Sequence, residues 1–150
     1  MNRLLIATDG SLAADAAVQA GVQLGSEQNG GVVFLHVVDA VDVVAPAFGP
    51  ISVNPVEDDH PEDDETLSAA AEVARAHGVP FELRLIGGFD YETILATADE
   101  IDAELIVLGS NRHGALGTAF FGSVSKEVLK RARRPVLVVH PTAALVAATA

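Results

Sequence analysis

With 150 residues, 49% of them apolar, the chain has the length and apolar content for one domain around one core. It has no cysteine, which excludes disulfides, zinc–thiolate sites, iron–sulfur clusters and thiol nucleophiles. A net charge of −12, 5% aromatic residues and no tryptophan argue against nucleic acid and anionic membranes as partners. No apolar run is long enough to cross a bilayer and residues 1–10 do not read as a signal peptide, so a cytoplasmic setting is expected.

Short apolar runs alternate with helical patterns, the signature of a βαβ chain with a mainly parallel sheet. Residues 3–7 read as the first strand. Ser11 is a fitting N-cap for a helix that runs to about Ser26 with Asp15 near its start. Residues 32–38 are almost continuously apolar, as expected of a strand buried on both faces. Residues 39–60 carry Pro46, Gly49, Pro50 and Pro55 without a clean period; a connection this long is placed to act as a lid. Pro61 suits the first turn of a helix, with Glu62 to Glu65 at its positive end and Gly78 as its stop. Phe81, Leu83 and Leu85 alternate with Glu82 and Arg84, which predicts a half-exposed strand at the sheet edge. Asp90 is placed to cap a helix with Tyr91, Ile94, Leu95, Ala98 and Ile101 on its apolar face. Residues 104–108 form the next strand, 123–132 a last helix and Pro135-Val136-Leu137-Val138-Val139 a last strand. The expected total is five strands and four helices in residues 1–140, followed by a tail over 141–150.

Seven of the 21 acids lie together: Glu57, Asp58, Asp59, Glu62, Asp63, Asp64 and Glu65. The run could capture a cation, but a solvated segment is the simpler reading. The five histidines, His36, His60, His77, His113 and His140, show no metal-ligand pair at helical spacing. His36 reads as a satisfied residue of a buried strand. The basic cluster Lys126, Lys130, Arg131, Arg133 and Arg134 sits mostly at the end of the last helix, where cations complement the negative pole.

In an open parallel sheet, ligands bind beyond the carboxyl ends of strands, where the strand order reverses. Two segments qualify, Ala7-Thr8-Asp9-Gly10 and the run GSNRHGALGTAFFGSVS over residues 109–125. The second lies between a strand and a helix. Gly109, Gly114, Gly117 and Gly122 permit tight turns, and the helix opening at Gly122-Ser123-Val124-Ser125 offers unsatisfied N–H groups to a phosphate. It is not a Walker loop, because Ser123 stands where the lysine belongs, and no GxGxxG run follows the first strand. A phosphorylated receiver domain would need an aspartate and a lysine where Ile86 and Val139 stand, and a flavin site would need more aromatic residues in the loops.

From LLIATDGS at the start, VVFLHVVD in the second strand, and AELIVLGS leading into GSVSKEVLKRARRPVLVV, the chain resembles the universal stress protein family over nearly its whole length. The resemblance implies a Rossmann-like α/β sandwich with strand order 3-2-1-4-5. It also implies a nucleotide-binding regulatory module that takes ATP or AMP, with or without Mg²⁺, and dimerises through the strand from Pro135 to Val139. ATP-binding members carry a glycine, two residues, a second glycine, nine residues, then glycine with serine or threonine. Gly109 matches the first glycine, and Gly122 and Ser123 the final pair. Asp9 matches the acidic residue that contacts the nucleoside, preceded by Ala7 and Thr8. Val37 matches a residue beside the adenine, and Leu108 sits where an apolar residue covers the base. Val124 and Ser125 continue the phosphate-binding turn. The second glycine is replaced by Arg112, which either crowds the phosphates or reaches them through its guanidinium. An interaction module that no longer binds nucleotide is the alternative that this replacement opens. With no nucleophile–base pair and no second carboxylate placed for hydrolysis, any ATPase activity is expected to be slow.

Overall fold

In the computed structural model of the chain, residues 2–39, 56–110 and 122–141 are described. Arg112, His113, most of the expected lid over 39–60 and the tail beyond residue 141 lie outside them.

Strand β1 (Arg3–Ala7) buries Leu4, Leu5 and Ile6 completely, so both of its faces are covered. Helix α1 (Leu12–Glu27) starts where the Ser11 hydroxyl accepts a hydrogen bond from the Ala14 N–H at 3.2 Å, as its sequence predicts. Strand β2 (Gly31–Val38) is buried over its first five residues. Strand β3 (Val56–Glu57) is only two residues long. A 3₁₀ turn, Pro61–Asp63, precedes helix α2 (Glu65–Ala76). The α-helix therefore does not begin at Pro61: Asp64 caps it, accepting from the Leu67 N–H at 2.9 Å. Strand β4 (Phe81–Gly87), helix α3 (Asp90–Glu100), strand β5 (Leu105–Gly109), helix α4 (Ser123–Arg131) and strand β6 (Val136–Val139) complete the fold.

The sheet order is β3-β4-β2-β1-β5-β6. Five strands are parallel, in the expected order, and β3 adds a sixth, antiparallel to β4. The sequence expectation of five strands with residues 81–86 at the edge is corrected here: β3 covers Ile86 and Gly87. Its physical cause is Arg84. The alternation with Leu83 and Leu85 placed Arg84 on the solvent side, yet the residue is 7% exposed. Its guanidinium grips Glu57 of β3 through two hydrogen bonds of 2.7 Å and reaches Glu100 of α3 at 3.2 Å. A bidentate carboxylate makes such a buried cation tolerable and fixes the returning chain to the sheet.

Period-2 alternation sorts each strand between two cores. Leu4, Ile6, Phe34 and Val107 meet α1 and Leu67 of α2 on one face. Leu5, Val33, Leu35 and Ile106 meet α3 and Val128 of α4 on the other. From β1 the chain winds outward through β2 to β4, then crosses back to β5 and β6. The order thus reverses between β1 and β5, which creates a crevice at their carboxyl ends.

Candidate nucleotide site

That crevice is an open cleft of about 690 Å³, solvent at its mouth included. Ten of the eleven residues expected from sequence line it: Ala7, Thr8, Asp9, Val37, Leu108, Gly109, Gly122, Ser123, Val124 and Ser125. The eleventh, Arg112, lies outside the described residues.

The β1–α1 turn builds one wall. The buried Thr8 is held by its N–H to the Leu35 carbonyl at 2.9 Å, and its hydroxyl accepts from the Gly10 N–H at 3.3 Å. Gly10 has φ +79°, a value that an L side chain rarely adopts, and lets the chain turn into α1. Asp9 accepts the Ser11 N–H on Oδ1 at 2.9 Å, an Asx turn that orients the carboxylate at the helix entrance. Burial, then the neighbouring Asp9 charge, pushes the Asp15 carboxyl above its ordinary value.

The start of α4 builds the opposite wall. Gly122 is its N-cap and supplies no side-chain acceptor, unlike Ser11 and Asp64 at the other two capped helices. The Gly122 carbonyl accepts from the Lys126 N–H at 3.1 Å, and residues 122–125 line the cleft with no side-chain bond to the Gly122 cap position. An open helix N-terminus of this kind suits an anion. Ser123 is exposed, whereas the buried Ser125 donates its hydroxyl to the Gly109 carbonyl at 3.3 Å and braces α4 against β5. Beside it, the fully buried Ser110 hydroxyl contacts His140 Nδ1.

The cleft also takes in Ser11, Ala14, Leu35, Asp90 and Ile94, which sequence reasoning missed as lining residues. Two of them left a signal: Leu35 shares a strand face with Val37, and Ile94 shares a helix face with Asp90 four residues earlier. Asp90 does not cap α3, as its sequence suggested. Phe89 occupies the cap position without a side-chain bond, and Asp90 is the first helical residue. Burial, then Asp9 and Asp39, raise the Asp90 carboxyl above its usual range, with His36 opposing. His36 itself is satisfied, its Nδ1 3.1 Å from both carboxylate oxygens of Asp64. Among the described residues no group of three histidines or acids is arranged to hold a metal.

The model of the universal stress protein family matches residues 1–140. The chain belongs to that family. A universal stress protein of Mycobacterium tuberculosis is 32% identical over 147 residues, covering 95% of this chain and 49% of the relative. The chain thus spans about half the length of the mycobacterial relatives that it matches. A universal stress protein of Bacillus subtilis, YxiE, is 32% identical over 146 residues, 93% of this chain and 99% of the relative. Among solved structures, the universal stress protein of Archaeoglobus fulgidus in complex with dAMP superposes with a TM-score of 0.65 at 25% identity, covering 93% of this chain and 97% of that one. The α/β architecture of this universal stress protein chain is therefore the family's own.

Proposed function

We propose that the chain binds an adenine nucleotide, ATP or AMP with or without Mg²⁺, and acts as a regulatory module of the stress response and not as an enzyme. The observation that carries this reading is the uncapped start of α4 at Gly122, facing an apolar-floored cleft at the strand switch point. The dAMP held by the Archaeoglobus fulgidus relative supports the choice of an adenine nucleotide. In this reading the phosphates lie on the first turn of α4 with Ser123, and the sugar faces Asp9. The base lies between Val37 and Leu108. The protein works in the cytoplasm as a homodimer joined at the strand from Pro135 to Val139; among the described residues β6 is the sheet's edge, and its valines and leucine are only half-buried.

The test is thermal unfolding with ATP, AMP and cyclic AMP, each with and without Mg²⁺. A ligand specific for the folded form stabilises by about 2.7 kcal/mol at a hundred times its dissociation constant. The expected result is a shift with ATP or AMP that Ser123→Ala and Asp9→Ala diminish. No shift at millimolar nucleotide would remove the reading.

A further inference from the structure

The cleft is chemically polarised along the sheet. Its phosphate-suited end lies at the carboxyl end of β5, where α4 begins. Moving across the sheet order, the next strand is β1 with Asp9, then β2 with Val37, then β4, after which Asp90 opens α3. Helix α3 packs across β2, so Asp90 at its start lines the cleft on the β2 side. A nucleotide laid along this line with its phosphate on α4 puts its sugar over β1 and its base over β2. The base over β2 then lies beside Asp90, which lines the same cleft as Val37.

Asp90 is held there by the backbone. The Gly88 N–H donates to the Val38 carbonyl at 3.0 Å, which fixes the β4–α3 turn to the end of β2 beside Val37. The carboxylate is not consumed by capping, since Phe89 holds the cap position. It makes no hydrogen bond or ion pair with another described residue. A carboxylate only accepts hydrogen bonds, so its partner at this end of a ligand must carry an N–H or O–H donor. An anionic group there would meet Asp9 and Asp39 as well.

We infer that Asp90 determines base specificity in this cleft, its carboxylate accepting a hydrogen bond from the exocyclic amine of an adenine whose phosphate lies at the start of α4. This rests on the nucleotide reading above and adds to it the residue that reads the base edge. Ile94, one turn along α3, supplies the apolar contact beside that edge.

The experiment is calorimetric titration of the protein, Asp90→Asn and Asp90→Ala with AMP, GMP and the monophosphate of the purine riboside that lacks the 6-amine. Unfolding midpoints of the free variants confirm that each is folded. Loss of a hydrogen bond to a charged group weakens binding by about tenfold to a hundredfold. The unaltered protein should therefore prefer AMP over the amine-free analogue by that factor. The preference should shrink in Asp90→Asn, whose carbonyl still accepts, and disappear in Asp90→Ala. A merely structural role would weaken both ligands alike and leave their ratio unchanged, which overturns the inference while the nucleotide reading stands. Tighter binding of GMP than AMP also overturns it, since guanine presents two adjacent donors to a carboxylate. Binding of none of the three overturns both readings.

Discussion

Gly109 serves the fold before it serves any ligand. A Cβ there would collide with the Ala13 carbonyl and come within 2.7 Å of the Ala14 nitrogen, both backbone atoms of the first turn of α1. Those atoms cannot yield without moving the helix, so Gly109→Ala should cost about 1–3 kcal/mol, read as a lowered unfolding midpoint in nucleotide-free protein. An unchanged midpoint would mean that α1 can retreat from β5. Asp90 presents the opposite balance. Its carboxyl is raised in the folded state, so the folded protein holds the proton more tightly than the unfolded chain does. Stability is then lost as pH rises from the ordinary aspartate value of 3.8 through the raised one. Asp90→Asn should make the free protein slightly more stable at pH 7, by an amount that solvent screening keeps small, and this gain should vanish below pH 3.8. Equal midpoints at both pH values would show that the carboxylate is not under strain.

At the level of elements, the helices differ in how they are closed. Helices α1 and α2 carry side-chain caps, and α4 carries none. Gly122 has φ −60° and ψ 162°, ordinary extended backbone that an aspartate adopts without strain. Gly122→Asp should therefore supply a cap without lowering the midpoint of the free protein, and at the same time abolish the nucleotide-induced shift by placing a carboxylate where the phosphate belongs. A retained shift would locate the anion elsewhere. The β3–β4 pair depends on the Arg84 clamp. The Arg84 hydrogen bonds hold the Glu57 carboxyl below its usual range. Its contribution is present above the ordinary glutamate value of 4.5 and is lost as pH falls through the lowered one. Glu57→Gln should cost about 1–2 kcal/mol at pH 7, limited because Glu57 is half-exposed and Glu100 remains, and the difference should close in acid. Parallel pH profiles for the two proteins would sink this account.

At the scale of the whole molecule, β6 closes one end of the sheet with one side already used. The carbonyls of Pro135 and Val139 accept from Ile106 and Ser110, so residues 135, 137 and 139 turn their backbone groups toward β5. Those of Val136 and Val138 point away from the sheet. An apolar edge of this kind is a template for a second copy. Val138→Pro removes one outward N–H and is tolerated at an edge. Light scattering after size exclusion should show a dimer for the unaltered chain and a monomer for Val138→Pro. A monomer in both would end the homodimer proposal.

Much of this was legible in the residues themselves. The buried runs at 32–38 and 104–108, the capping Ser11 and the glycine-and-serine start of α4 each declare their element through local periodicity and local hydrogen bonding. Eight cleft residues lie in the two segments that the strand-end rule selects, and Val37 and Leu108 follow only from the family resemblance. The misreadings share one cause. Arg84 looked exposed because alternation reports one strand's own period, not the Glu57 carboxylate 27 positions away that makes its burial possible. The acidic run looked uniformly solvated, yet Glu57 clamps Arg84 and Asp64 both caps α2 and holds His36, 28 positions earlier. Asp90 looked like a cap because its neighbours are helical; only the turn from β4, tied to Val38, turns it into the cleft. Sequence alone determined the five parallel strands, the four helices and the kind of ligand end that α4 offers, but not β3. Tertiary structure alone decided which charges could be buried, which glycine the packing demands and which carboxylate of α3 lines the cleft, because each depends on a partner distant in the chain.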